Sequence, residues 1–155
     1  MREFRHLLAV AAVLDYDRRR RNYEEFSERI SGNIDRWEDQ LKRNQDSQDR
    51  AEETLNKNHD RLRGLRDVLT RLDSSATREW LERKEKQALE HKKPEVRQLA
   101  ASKVKEHHEK YAEIEQKIAR YKTWISQGND KIESLENRAR DLRDRISNAR
   151  GKLRD

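Results

Sequence analysis

From Ile34 to Leu72 the chain sets seam-type residues at alternating steps of three and four: Ile34, Trp37, Leu41, Asn44, Gln48, Ala51, Leu55, Asn58, Leu62, Leu65, Leu69 and Leu72. A spacing that averages 3.5 lays these side chains along one stripe of an α-helix, and two such stripes bury each other in a coiled coil. Strands are excluded over this span, because their side chains alternate with a period of two. Three seam positions, Asn44, Gln48 and Asn58, are polar. Polar seam residues weaken pairing but fix register and partner number; a looser, wetter midsection is the other reading. Upstream, Phe26, Ile30, Ile34 and Trp37 step by four, four and three, a stutter that locally unwinds a supercoil.

The second half repeats the pattern. Tyr111, Ile114, Ile118, Tyr121, Ile125, Gly128, Ile132, Leu135, Ala139, Leu142, Ile146, Ala149 and Leu153 keep one heptad phase. Gly128-Asn129-Asp130 could close one helix and cap another, but the phase passes straight through, which favours a continuous helix weakened at Gly128. Between the halves, Asp73, Ser74 and Ser75 are of types that favour N-caps and turns. The expected fold class is therefore all-α: an elongated antiparallel helical hairpin or coiled coil with a short N-terminal helix. Its first arm covers 22–72, its turn 73–75 and its second arm 76–155. Pro94 makes the second arm kink, or stop and restart. With the turn centred near Ser74, Trp37 should face Tyr111, Leu41 should face Ile114 or His107, and Trp124 should face Tyr23 and Phe26. Asn44 and Gln48 should face the Ala100–Val104 region. The helix-pairing seam is expected to rest on Trp37, Leu41, Leu55, Leu62, Leu65, Leu69, Tyr111, Ile114, Ile118, Tyr121 and Ile125.

A chain with 44% charged and 32% apolar residues has too little apolar material for a broad globular core, but enough for a narrow seam. The net charge of +6 is uneven. Residues 1–22 hold six basic and three acidic side chains, and residues 138–155 hold seven and three, while the long middle is nearly neutral. Basic ends suit phosphate-bearing partners, either an anionic membrane or nonspecifically bound nucleic acid; they also suit solubility alone. The nucleic-acid candidates are Arg18–Arg21 and Arg138, Arg140, Arg143, Arg145, Arg150, Lys152 and Arg154. Aromatic residues do not interleave with them as a base-stacking platform requires.

Residues 3–16 read as a short helix with Phe4, Leu7, Leu8, Ala11 and Ala12 on one face, followed by Arg18, Arg19, Arg20 and Arg21. An apolar stripe beside a basic cluster can lie in a membrane interface, with Phe4, Leu7, Leu8 and the four arginines as contacts; it can equally pack on the hairpin or on a second copy. The longest apolar run, Leu7 to Leu14, is well short of the ~20 residues needed to span a bilayer. Arg2 and Arg5 precede it as in a secretory signal, yet no clear small-residue cleavage site follows.

Nothing in the sequence assembles a reaction centre. With no cysteine there is no disulfide, thiol chemistry or thiolate metal site, which fits a reducing, cytoplasmic setting. The five histidines, His6, His59, His91, His107 and His108, fall in no metal-binding spacing. Phosphate-cradling glycine loops and nucleophile elbows are absent. The expectation is a non-enzymatic chain with no cofactor and no small-molecule substrate, paired with itself or another coiled coil.

Trp80, Ala88-Leu89, Lys92-Lys93, Glu95, Val96-Arg97, Leu99-Ala100-Ala101 and, further on, Ile132-Glu133-Ser134-Leu135-Glu136-Asn137 resemble the second hairpin arm of the phage-shock protein A family, bacterial relatives of the ESCRT-III proteins. The resemblance covers residues 66–153. It implies a long helical hairpin, an N-terminal amphipathic helix on a membrane surface (here residues 3–16), and assembly into rods or rings. The chain departs from that pattern at Pro94 and in its four-arginine run.

Overall fold

The computed structural model describes residues 2–154, all but a few of them in three α-helices: α1 (Arg2–Leu72), α2 (Ser75–Glu90) and α3 (Pro94–Arg154). The fold is an all-α antiparallel hairpin in which long helices pack along their seams. Its contacts fall into two units, one of residues 1–48 and 134–155, the other of residues 49–133.

In the first unit the opposite numbers fall as α1 advances. Glu38 pairs with Arg150, Gln40 accepts a hydrogen bond from Arg138, and Asn44 donates to the Leu135 carbonyl. The seam here is Ile34, Ile146 and Ala149, with Ile30, Trp37, Leu41 and Leu153 packed against them. Ala139 and Leu142 are buried as well. A polar layer interrupts the stripe: buried Asn44 donates through Nδ2 to the Leu135 oxygen at 2.9 Å, and Gln48 Nε2 donates to Asn44 Oδ1 at 2.6 Å. Among the described residues no buried side-chain nitrogen or oxygen lacks a partner, the condition under which a buried amide is tolerated.

The second unit centres on Leu62, Ile114, Ile118 and Ile125, flanked by Leu55, Leu65, Val68, Leu69, Leu72 and Tyr121. Its cross-contacts set the path of the chain. Leu55 lies over Gly128, Arg61 donates to the Tyr121 hydroxyl, Tyr111 donates to Asp73 at 3.0 Å, and Trp80 lies 6.3 Å from His107. Opposite numbers keep falling from α1 into α2, so α2 carries on in the direction of α1. The reversal comes afterwards, at His91–Lys93.

This corrects the expected turn at 73–75; at Pro94 the helix stops and restarts, the second of the two readings of that proline. Ser74 is extended (φ −63°, ψ 155°) and its Oγ caps α2 by accepting from the Thr77 N–H. The gap in the helix ladder is bridged by Asp73 N to Leu69 O, Ser74 N to Arg71 O, and the Thr77 hydroxyl to Arg71 O. So short a break, stitched on both sides, restarts a helix without turning it back. At the true reversal, Pro94 opens α3, the one helical position where its missing N–H loses nothing. It also drives Lys93 out of helical backbone geometry. His91 steadies the bend: its Nδ1 accepts from Lys93 N and its carbonyl accepts from Arg97 Nη1.

The expected facing pairs shift accordingly. Trp37 and Leu41 pack in the cluster of Ile146 rather than on Tyr111, Ile114 or His107, and Asn44 meets Leu135 rather than the Ala100–Val104 region. Trp124 stacks edge-on against Tyr121 at 5.0 Å and borders a groove with Leu55 and Gly128, not with Tyr23 and Phe26.

Two further expectations concern helix ends. Residues 3–16 are not a separate short helix; α1 runs through Asp15–Asn22 unbroken. The reason is local: no glycine or proline lies there, and Asp15 pairs forward with Arg18 (3.2 Å) and Arg19 (3.1 Å), as Arg20 does with Glu24 (3.2 Å). Such spacings stabilise a helix. At Gly128, α3 is continuous. A β-carbon at Gly128 would lie 3.2 Å from Leu55 Cδ1, whereas one at Gly32 or Gly64 would meet nothing within 4 Å. Gly32→Ala and Gly64→Ala are therefore expected to stabilise the fold by about 0.8–1 kcal/mol each, readable as a higher urea midpoint. Gly128→Ala should stabilise less, because Leu55 must move.

Candidate docking surface

Most of the apolar side chains form the seam; the first three turns of α1 do not. Of residues 2–25 only Asp15 is half-buried and the rest are exposed; it is the carboxylate shared by Arg18 and Arg19. Phe4 (68% exposed), Leu7 (65%), Leu8, Val10, Val13, Leu14, Tyr16 and Tyr23 all stand open, and no other described segment packs on them. Leu7 to Leu14 are consecutive, so they cover every side of the helix rather than one stripe. A helix apolar all round is one that is enclosed in use. Basic side chains bracket it, Arg2 and Arg5 before and Arg18–Arg21 after.

The proposed contact residues Phe4, Leu7, Leu8, Arg18, Arg19, Arg20 and Arg21 thus share one exposed helical segment. Three of the four arginines are drawn into ion pairs on their own helix, which lowers the free charge of the cluster. The helix-pairing residues are divided between the units. Trp37 and Leu41 lie in the first cluster, and Leu55, Leu62, Leu65, Leu69, Ile114, Ile118, Tyr121 and Ile125 in the second. Tyr111 is partly buried beside them. Its hydrogen bond to Asp73 raises the phenol pKa above its usual value, with desolvation and the charges of Asp73 and Glu115 adding and Arg78 opposing. Val68 sits off the heptad phase and was not anticipated as a seam residue; the run Leu65, Val68, Leu69, Leu72 carried the signal.

Catalytic and metal geometry is not assembled among the described residues. No group of three or more His, Asp or Glu side chains converges as a metal site. His107 contacts the Trp80 ring and His108, and His91 belongs to the reversal. No helix is long and apolar enough to cross a membrane. Compared with protein-family models, with curated proteins and with solved structures, the chain matches none.

Proposed function

We propose that this chain is a non-enzymatic helical scaffold that settles on an anionic membrane surface through residues 2–21 and assembles there with further copies of itself. One observation carries the reading: eight consecutive apolar residues stand exposed around the whole circumference of a helix, between basic flanks. Lipid can enclose such a segment on several sides at once, while anionic headgroups meet the flanking guanidiniums. The run is too short to span, so the segment lies in the interface. Likeness to the phage-shock protein A pattern supports the same reading. Assembly follows from the thinness of the fold, since two-helix seams bury little surface per chain.

Co-sedimentation with anionic vesicles tests it. Leu7→Glu/Leu8→Glu should lower vesicle affinity at least about tenfold, because each exchange removes an inserting side chain and adds a charge that anionic lipid repels. Equal pelleting of the parent chain and the variant would remove the membrane role from this segment. Light scattering on vesicle-free protein should give a mass above one chain; a strict monomer on and off vesicles would end the assembly part.

A further inference from the structure

Arg140, Arg143, Ser147, Arg150 and Arg154 repeat the 3–4 spacing of the α3 seam one step to its side. That spacing keeps them in one stripe beside the buried Ala139, Leu142, Ile146 and Ala149. Arg143, Ser147, Arg150 and Arg154 line one wall of a groove of about 570 Å³, which Glu38 and Leu41 of α1 close from the other side.

Three features set this groove apart from an ordinary solvated charge row. Its charge is lopsided: three guanidiniums face a single carboxylate. Glu38 accepts from Arg150 at 2.5 Å, and Arg143 has no ion-pair partner among the described residues. Gly151 forms part of the lining, although glycine is the poorest helix former after proline, and a β-carbon there would meet nothing within 4 Å. No packing among the described residues accounts for a glycine at this point, and its lack of a side chain leaves the groove open between Arg150 and Arg154. Finally, no aromatic residue lines the groove, so it offers nothing for a base or other flat ring to stack on. What it offers a ligand is three guanidinium forks and one hydroxyl, set over an apolar floor of Leu41 and Ile146.

We propose that this groove binds a compact polyphosphate, a ligand carrying two or more phosphate groups close together. Guanidinium forks match phosphate oxygens in paired hydrogen bonds, which a carboxylate row or lysine ammonium does not reproduce. Arg150 and Arg154 lie about 6 Å apart along the helix axis, and Arg143 about 10 Å before Arg150. A single phosphate engages one of these forks; clustered phosphates engage two or three. Arg150 exchanges Glu38 for the ligand, and the Ser147 hydroxyl donates to a phosphate oxygen. The ligand is held and not turned over. The phosphates come either from a soluble polyphosphate or from a multiply phosphorylated lipid headgroup.

Calorimetric titration of the full chain with sodium tripolyphosphate at low ionic strength tests the site. Arg143→Gln/Arg150→Gln should weaken binding about a hundredfold, near tenfold per guanidinium. Arg18→Gln/Arg19→Gln removes the same charge elsewhere and should weaken it less than about threefold, since nonspecific attraction is all it loses. Gly151→Leu, which changes no charge, should weaken binding about tenfold by filling the groove. Helicity by circular dichroism checks that each variant is folded. Absence of binding by the parent chain overturns the proposal. So does equal weakening by the Arg18/Arg19 pair, or undiminished binding by Gly151→Leu. Vesicles then separate the sources. A preference for headgroups bearing several phosphates, lost in Arg143→Gln/Arg150→Gln, supports the groove with a lipid ligand; tripolyphosphate binding without that preference supports it with a soluble one. Leu7→Glu/Leu8→Glu shifts the net charge as far as the Arg18/Arg19 pair does and should weaken tripolyphosphate binding no more than that pair, less than about threefold, so this site and the proposed membrane role fail independently.

Discussion

Pro94→Ala is expected to raise the equilibrium share of a helix-exchanged dimer by about a hundredfold. The reversal occupies only His91, Lys92 and Lys93, since α2 ends at Glu90 and α3 begins at Pro94. None of the three is a helix breaker, and the residues on either side are helical already. What forbids a straight passage from α2 into α3 is the proline: inside a helix it removes one hydrogen bond and clashes with the preceding turn, for about 3 kcal/mol. Alanine lifts that penalty. The bend is otherwise held by two contacts, Lys93 N to His91 Nδ1 and Arg97 Nη1 to the His91 carbonyl. A straightened chain loses its own antiparallel partner but recovers every seam contact from a second copy, which is the usual route to domain swapping. Size-exclusion chromatography with light scattering over a concentration series reads the ratio of single to double mass. An unchanged ratio would show that seam matching alone, and not Pro94, places the reversal.

Leu142→Ala is expected to destabilise the fold by about 3–4 kcal/mol. Leu142 is the most completely buried large side chain, 1% exposed, between Ala139 and Ile146 on the α3 seam. Its small neighbour Ala139 cannot swing into the space, so lost transfer energy and an unfilled cavity both count. In a fold whose total stability is of order 5–15 kcal/mol this is a large fraction. Leu89→Ala makes the matching control: the same atoms are removed from a side chain 82% exposed, and the change should stay within about 0.5 kcal/mol. Urea titration followed by helical circular dichroism measures both, with an unchanged slope required for the comparison. A loss at Leu142 no greater than that at Leu89 would mean that the seam of the first unit does not hold the two helices together.

Local spacing made the helices and their buried stripe legible, because heptad phase is a property of neighbours in sequence. Ile114, Ile118 and Ile125 could be read without knowing what they pack on. The location of the turn could not. Asp73-Ser74-Ser75 and Lys93-Pro94 both carry the chemistry of a helix start, and a helix start does not say whether the next helix reverses or carries straight on. That choice is made by which stretches match at a distance: here α3 pairs with α1 through Tyr121–Arg61 and with the break after it through Tyr111–Asp73, which leaves α2 extending α1. A single misplaced turn shifts every expected facing pair, whereas the heptad spacing within each helix does not depend on where the turn falls. Residues 4–14 show the same limit. Their apolar character was plain, but that they lack a helix partner among the described residues depends on the register of everything downstream. The arginines at 143, 150 and 154 were visible as a basic end, whereas their grouping into one groove needed Glu38 and Leu41 brought across from α1.

The link from Asn44 to Leu135 ends on a main-chain oxygen. Such an acceptor is present whatever amino acid occupies position 135, and its second lone pair remains available to its own helix. The lock therefore reads distance along α3 and ignores chemical identity. Slipping one residue displaces the oxygen by about 1.5 Å and rotates it away, yet exchanging Leu135 for another helix-forming residue leaves it in place. The alignment that Asn44 enforces thus does not rest on the side chain at position 135, which is itself half-buried on the seam.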